Sequence, residues 1–161
     1  MERVHGHILI VDDDAEIRET MTVALGHDGF SVAVAADGQE ALEQLETACF
    51  DVVVCEIQIP KVSGLDVLRE VITLSTDTEI VMMAAHGSRG SVTMALHLGA
   101  FDFVRKPFHL DDLSLTVACA VERRRLRSLS YRMASLGGLA ARITSPLSYV
   151  LANHELAKRR P

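Results

Sequence analysis

A run of four apolar residues, Val52, Val53, Val54 and Cys55, stops abruptly on a carboxylate, Glu56, and a breaker follows at Pro60. Consecutive apolar residues bounded by polar groups describe a strand buried on both faces, as in a parallel sheet. An acid at the carboxyl end of such a strand sits where open α/β sheets hold their ligands. Two other stretches have the same form. Residues 8–11 are Ile-Leu-Ile-Val and lead into Asp12, Asp13 and Asp14, while Val104 leads into Arg105, Lys106 and Pro107. A sheet that aligns these three ends gathers carboxylates and a lysine in one crevice.

The rest of the chain supplies the alternation such a sheet needs. The first strand is read at 7–11. Asp14 is placed to cap a helix opening at Ala15, with Ile17, Met21, Ala24 and Leu25 as its apolar stripe and Gly26 to Gly29 ending it. A short strand follows at 30–35, then the Asp37-Gly38 turn and a helix at 39–49 with Ala41, Leu42, Leu45 and Ala48 on one face. After the strand at 52–55 and a loop at 60–64, a helix at 65–74 directs Leu65, Leu68 and Ile72 inward. A fourth strand at 79–85, a helix at 88–98, a fifth strand at 101–104 and a helix at 110–127 complete the pattern. Five strand–helix alternations predict an α/β fold, a parallel sheet covered by helices on both faces. The fold class expected is the flavodoxin-like (βα)5 three-layer sandwich with strand order 2-1-3-4-5, which sets strands one and three side by side at the switch point.

Charge divides the chain. Residues 1–121 carry 7 Lys/Arg against 20 Asp/Glu, a net of −13, whereas residues 122–161 carry 9 against 2, a net of +7. The break predicts a domain at 5–125 and a helical extension at 126–161. The acidic part is a poor nucleic-acid binder, and no DNA-binding domain is expected. Of three cysteines, Cys49 and Cys55 lie in apolar surroundings and are read as reduced core thiols, with no disulfide. No apolar run approaches bilayer length, and residues 1–14 lack a signal-peptide core, so a cytoplasmic location is expected with no membrane association.

The order and spacing of ILIVDDD, DVVVCEIQIPKVSGLDVL, IVMMAAHGS and GAFDFVRKPF make residues 7–125 resemble a response-regulator receiver domain, the module of two-component phosphorelay signalling. The resemblance implies that Asp12 and Asp13 hold Mg²⁺, that Lys106 pairs with a phosphoryl group, that the Lys106-Pro107 bond is cis, and that Phe103 is the aromatic switch. Glu56 then stands where the family has its phosphoacceptor Asp, and Ala84 where it has a Ser or Thr that binds a phosphoryl oxygen.

Both departures weaken the same step, attack of a carboxylate on phosphorus. The extra methylene of Glu56 displaces its oxygens by roughly 1 Å, which costs on the order of a hundredfold in rate. Ala84 removes a hydrogen bond to a charged group worth about 1.5–3 kcal/mol. Efficient phosphotransfer is therefore not expected. A Glu56–Lys106 ion pair is expected instead, with weak Mg²⁺ binding by Asp12, Asp13 and Glu56. His86 and His109 read as loop spacers, His5 and His7 as no metal site, and Met82, Met83 and Met94 as core packing.

Beyond the domain, Leu126, Leu129, Met133, Leu136, Ala140 and Ile143 recur at heptad spacing. Residues 132–156 are similar to the first helix of a histidine-kinase dimerisation domain, but the interval 142–145 is about one turn short and has no His. The similarity implies a dimerising helix without kinase activity. The reading is a pseudo-receiver, not an enzyme, that acts through protein contacts on the face built from 88–127 and pairs through its C-terminal helix. The alternatives are a phosphorylation-competent response regulator and a truncated hybrid histidine kinase remnant.

Overall fold

Residues 5–74 and 77–136 are described in the computed structural model. Five strands, β1 (His7–Val11), β2 (Ser31–Ala35), β3 (Val52–Glu56), β4 (Glu79–Ala84) and β5 (Asp102–Arg105), alternate with five helices, α1 (Ala15–His27), α2 (Gly38–Thr47), α3 (Gly64–Leu74), α4 (Arg89–Leu98) and α5 (Leu110–Leu136). All strand pairs are parallel and the order is β2-β1-β3-β4-β5. This is the flavodoxin-like arrangement expected. The chain divides into two units, Met1–Arg124 and Arg125–Pro161, with the boundary inside α5.

Side chains alternate across each strand with a period of two. Leu9, Val11, Val53, Cys55, Ile80, Met82 and Ala84 therefore face one side, where α2, α3 and α4 cover them. Ile8, Ile10, Val52, Val54, Val81, Met83 and Val104 face the other, where Met21 and Leu25 of α1 and Leu113, Val117, Ala120 and Val121 of α5 pack. Two-sided cover is why β1, β3 and β4 are unbroken apolar runs. Each fully buried Leu, Ile or Met contributes about 1.5–3 kcal/mol.

Caps set where the helices begin. Asp14 accepts from the backbone N–H of Glu16 at 2.9 Å and of Ile17 at 3.4 Å, as its N-cap reading predicts. Asp37 accepts from Glu40 N–H at 2.8 Å and so starts α2 at Gly38. That hydrogen bond, with the Lys61 ammonium 3.1 Å away, holds the Asp37 carboxyl below its ordinary value.

Several details differ from the sequence reading. β3 runs one residue further, through Glu56, because Ile57 N–H still donates to Met83 O at 3.0 Å. β5 lies one residue later than read, whereas α5 runs straight into the heptad stretch and reaches Leu136, as the sequence spacing allows. In α3 the buried stripe is Gly64, Val67, Leu68 and Val71, and Ile72 is exposed. The cause is Gly64, whose N–H donates to Ile57 O at 2.9 Å; this contact turns the helix so that Gly64 itself faces the sheet. Cys49, just past the end of α2, is exposed, so only Cys55 is a core thiol, and burial pushes its pKa up. Met94 is exposed on α4.

A Cβ at Gly64 would lie 2.2 Å from Glu56 O, a backbone atom. Gly64→Ala is expected to destabilise the fold by about 1–3 kcal/mol through this overlap, read as a lower urea midpoint. An unchanged midpoint would contradict the close approach.

Candidate functional site

Strand register brings the site together. Val11 pairs with Cys55, so Asp12 and Glu56 leave adjacent strands at the same level. Ala84 pairs with Arg105, and Lys106 N–H then donates to Ala84 O at 2.8 Å, which turns the chain over the same edge. The Lys106-Pro107 peptide bond is cis.

At the centre, the Lys106 ammonium lies 2.7 Å from Asp12 Oδ2 and 2.5 Å from Glu56 Oε2. Asp12 is fully buried and Glu56 is 4% exposed. Two buried carboxylates around one ammonium satisfy the rule that buried charge is paired. Burial by itself lowers the Lys106 pKa, but hydrogen bonds to Asp12 and Glu56 outweigh it and hold the amine above its ordinary 10.5. The other carboxylate oxygens meet backbone N–H groups: Asp12 Oδ1 accepts from Asp14 at 2.9 Å, and Glu56 Oε1 lies 3.5 Å from Gln58 N. The Asp12 carbonyl accepts from Arg18 Nη1 at 2.7 Å.

The surroundings are apolar. Ala84 is 2% exposed and offers only a methyl group to the site. Phe103 is partly buried and packs against the cluster that contains Ala84 and Ala95. The 57–63 loop beside Glu56 is fastened to the start of α2. Gly38 N–H donates to Pro60 O at 3.3 Å, Lys61 pairs with Asp37, and a Cβ at Gly38 would fall 2.1 Å from Val62 O. Lys61 has φ of 69°, an uncommon backbone conformation for a non-glycine residue.

Of the residues singled out in the sequence, Asp12, Glu56, Lys106 and Ala84 converge. Asp13 is exposed, and His5, His86 and His109 are exposed in their segments. Arg18, Gly38 and Lys61 also shape the site and were not anticipated. The sequence signal for Gly38 was its Asp-Gly turn; for Arg18 and Lys61 no signal was present.

Among the described residues no group of three or more His, Cys, Asp or Glu side chains is arranged to hold a metal ion. Each oxygen of Asp12 and Glu56 already faces a lysine or a backbone N–H. With Lys106 in this position, the oxygens of Asp12 and Glu56 are engaged by the protein's own ammonium and N–H groups, so a divalent cation would have to displace the lysine to bind them.

A family model described as response regulator receiver domain matches residues 8–118. Regulatory protein AtoC of Escherichia coli (strain K12) is 35% identical over 120 residues, 74% of this chain and 26% of that protein. Transcriptional regulatory protein FixJ of Bradyrhizobium diazoefficiens is 31% identical over 140 residues, 87% of this chain and 67% of that protein. The chain thus spans from about a quarter to two thirds of these relatives. Among solved structures, a response regulator receiver domain protein from Clostridium thermocellum aligns with a TM-score of 0.71 at 32% identity, over 75% of this chain and 98% of that one. Full-length FixJ from B. japonicum aligns with a TM-score of 0.72 at 30% identity, over 88% and 70%.

Lys106→Met leaves two carboxylates buried without their cation. Its stability at neutral pH is expected to fall by about 3 kcal/mol, measured by urea denaturation. The folded pKa of Lys106 lies above the unfolded one, so pairing contributes fully below pH 10.5 and is lost as pH rises through the folded value. The wild type should lose stability across that alkaline window, and the Met variant should lack this component. Equal stability of the two proteins at pH 7 would remove the pair from its central place.

Proposed function

The chain belongs to the response-regulator receiver family, and from that premise we propose that it is a pseudo-receiver: a signalling module that works through its surface and accepts no phosphoryl group efficiently. The observation that carries this reading is the closed Asp12–Lys106–Glu56 cluster. A phosphoacceptor needs a carboxylate oxygen free to attack phosphorus while the leaving group departs. Here Glu56 Oε2 is held by Lys106, and the longer side chain alters the angle and distance of approach. Ala84 presents no hydroxyl to a phosphoryl oxygen. A Mg²⁺ ion entering this site would compete with the tethered ammonium of Lys106, so any binding is expected to be weak.

Two surfaces are proposed for output. The first is the face of α4, β5 and α5, where Met94, Leu96, Leu115 and Cys119 are exposed beside Arg89 and Arg105. Receiver domains engage partner proteins, and this face combines apolar area with charge at its rim. The second is the apolar stripe of α5 beyond Arg124, proposed for self-association. Among the described residues no helix is long and apolar enough to cross a membrane.

The competing reading, a phosphorylation-competent regulator, draws on Asp12 and Lys106, which stand at the positions the chemistry would use. Acetyl phosphate with Mg²⁺ separates the two, with phosphate-affinity electrophoresis as readout. The pseudo-receiver is expected to show no shifted band. A stoichiometric shifted band that Glu56→Ala abolishes would overturn the proposal.

A further inference from the structure

A positive φ at a long side chain marks a place where the backbone is held against its preference. Lys61 has φ of 69°, a region that glycine, asparagine and aspartate enter far more readily than lysine does. Its ammonium lies 3.1 Å from Asp37 Oδ2, with the Lys61 side chain 66% exposed and that of Asp37 16%. The lysine thus keeps an unfavourable backbone conformation while its side chain reaches a carboxylate from a distant segment.

Both partners connect to the buried carboxylates. Asp37 follows closely on Ala35, the last residue of β2, and Ala35 O accepts from Asp12 N–H at 3.2 Å. Lys61 lies in the loop that follows Glu56. That loop is fixed to the sheet at Ile57, whose N–H donates to Met83 O at 3.0 Å, and again at Gly64, whose N–H donates to Ile57 O at 2.9 Å. Residues 58–63 span the gap between these two points, and Gln58 N there lies 3.5 Å from Glu56 Oε1. The start of α2 holds the middle of the span: Gly38 N–H donates to Pro60 O at 3.3 Å, and a Cβ on Gly38 would meet Val62 O. Asp12 and Glu56 are therefore bridged twice, on the inside by Lys106 and on the outside through Asp37 and Lys61.

We propose that Asp37 and Lys61 are positioning residues for Glu56: their ion pair holds the 58–63 span against the start of α2 and so keeps the Glu56 carboxylate on the Lys106 ammonium. The proposal rests on the closed Asp12–Lys106–Glu56 cluster, which also carries the pseudo-receiver reading, and says what keeps that cluster closed. A partly exposed pair adds little to net stability. It can bias the cluster by no more than its own free energy. Its effect is therefore small in the unfolding equilibrium and is read at Lys106 itself.

Proton exchange of the Lys106 ammonium, read by nitrogen-resolved NMR of the full chain near neutral pH, reports the grip of its two carboxylates, since a hydrogen-bonded ammonium exchanges more slowly than a hydrated one. Lys61, Lys106 and Lys158 are the lysines of the chain, so substitution of the other two assigns the Lys106 signal. Asp37→Asn keeps a capping oxygen for α2 and removes the charge. Lys61→Asn accepts the positive φ and removes the ammonium, and Lys61→Arg retains the pair. The expected result is slow exchange in the wild type and in Lys61→Arg, and exchange about fivefold faster in Asp37→Asn and in Lys61→Asn, the upper limit for a pair of this kind. Urea midpoints should stay close to that of the wild type in all three variants. Unchanged exchange in both neutral variants, even with lower midpoints, would overturn the positioning role and leave the cluster standing. Faster exchange in only one of the two would show that the pair is not what acts, and would overturn the proposal as well. Wild-type exchange as fast as that of free lysine would remove the closed cluster itself, and with it both this proposal and the observation that carries the pseudo-receiver reading.

Discussion

The structure depends on one ammonium group placed between two carboxylates. Asp12 and Glu56 sit at the ends of adjacent central strands with almost no access to water, and neither charge is tolerable there alone. Lys106 reaches them from the far edge of the sheet. It can do so because β5 is paired to β4, and its backbone is fastened to Ala84 O just beyond the last strand pair. The charged cluster thus ties the carboxyl ends of β1, β3 and β5 together above an apolar sheet. Such a cluster adds geometry more than net stability, since an apolar replacement of similar shape is often no worse.

The same contact shapes the chemistry available. In a receiver the acceptor carboxylate must reach phosphorus, a cation must offset charge, and a hydroxyl must receive an oxygen. Here the carboxylate is long enough to meet the lysine directly. The group that would normally respond to an incoming anion is already engaged. Ala84 adds no side-chain polar contact, and Phe103 packs against the same apolar cluster as Ala84. The 57–63 loop is held at its middle by the clamp on α2 and at its end by the approach of Gly64 to the Glu56 carbonyl. On the pseudo-receiver reading proposed above, these contacts favour one arrangement of the site over two.

Much of this was legible in the sequence for simple reasons. Strands buried on both faces must be continuous apolar runs, so their ends, and the charged residues at those ends, stand out. Asp14 before Ala15 and the breaker Pro60 mark boundaries with equal clarity. The misreadings arose where a single contact rotates or shifts an element. Gly64 packs on a carbonyl and turns α3 by one position, which exchanges Ile72 for Val71 in the core. Cys49 lies two residues past the end of α2, so an apolar neighbourhood in sequence is a surface in space. The Asp37–Lys61 pair and the positive φ of Lys61 join segments far apart in the chain, and neither composition nor periodicity carries such information.

Restoring both missing chemical features in one protein, Glu56→Asp together with Ala84→Thr, tests the central claim most directly. Phosphorus NMR after addition of a small-molecule phosphoryl donor and Mg²⁺ provides the readout. The account predicts an acyl-phosphate resonance at near-stoichiometric intensity in the double variant and none in the unaltered chain. A resonance of equal intensity in the unaltered chain would contradict it.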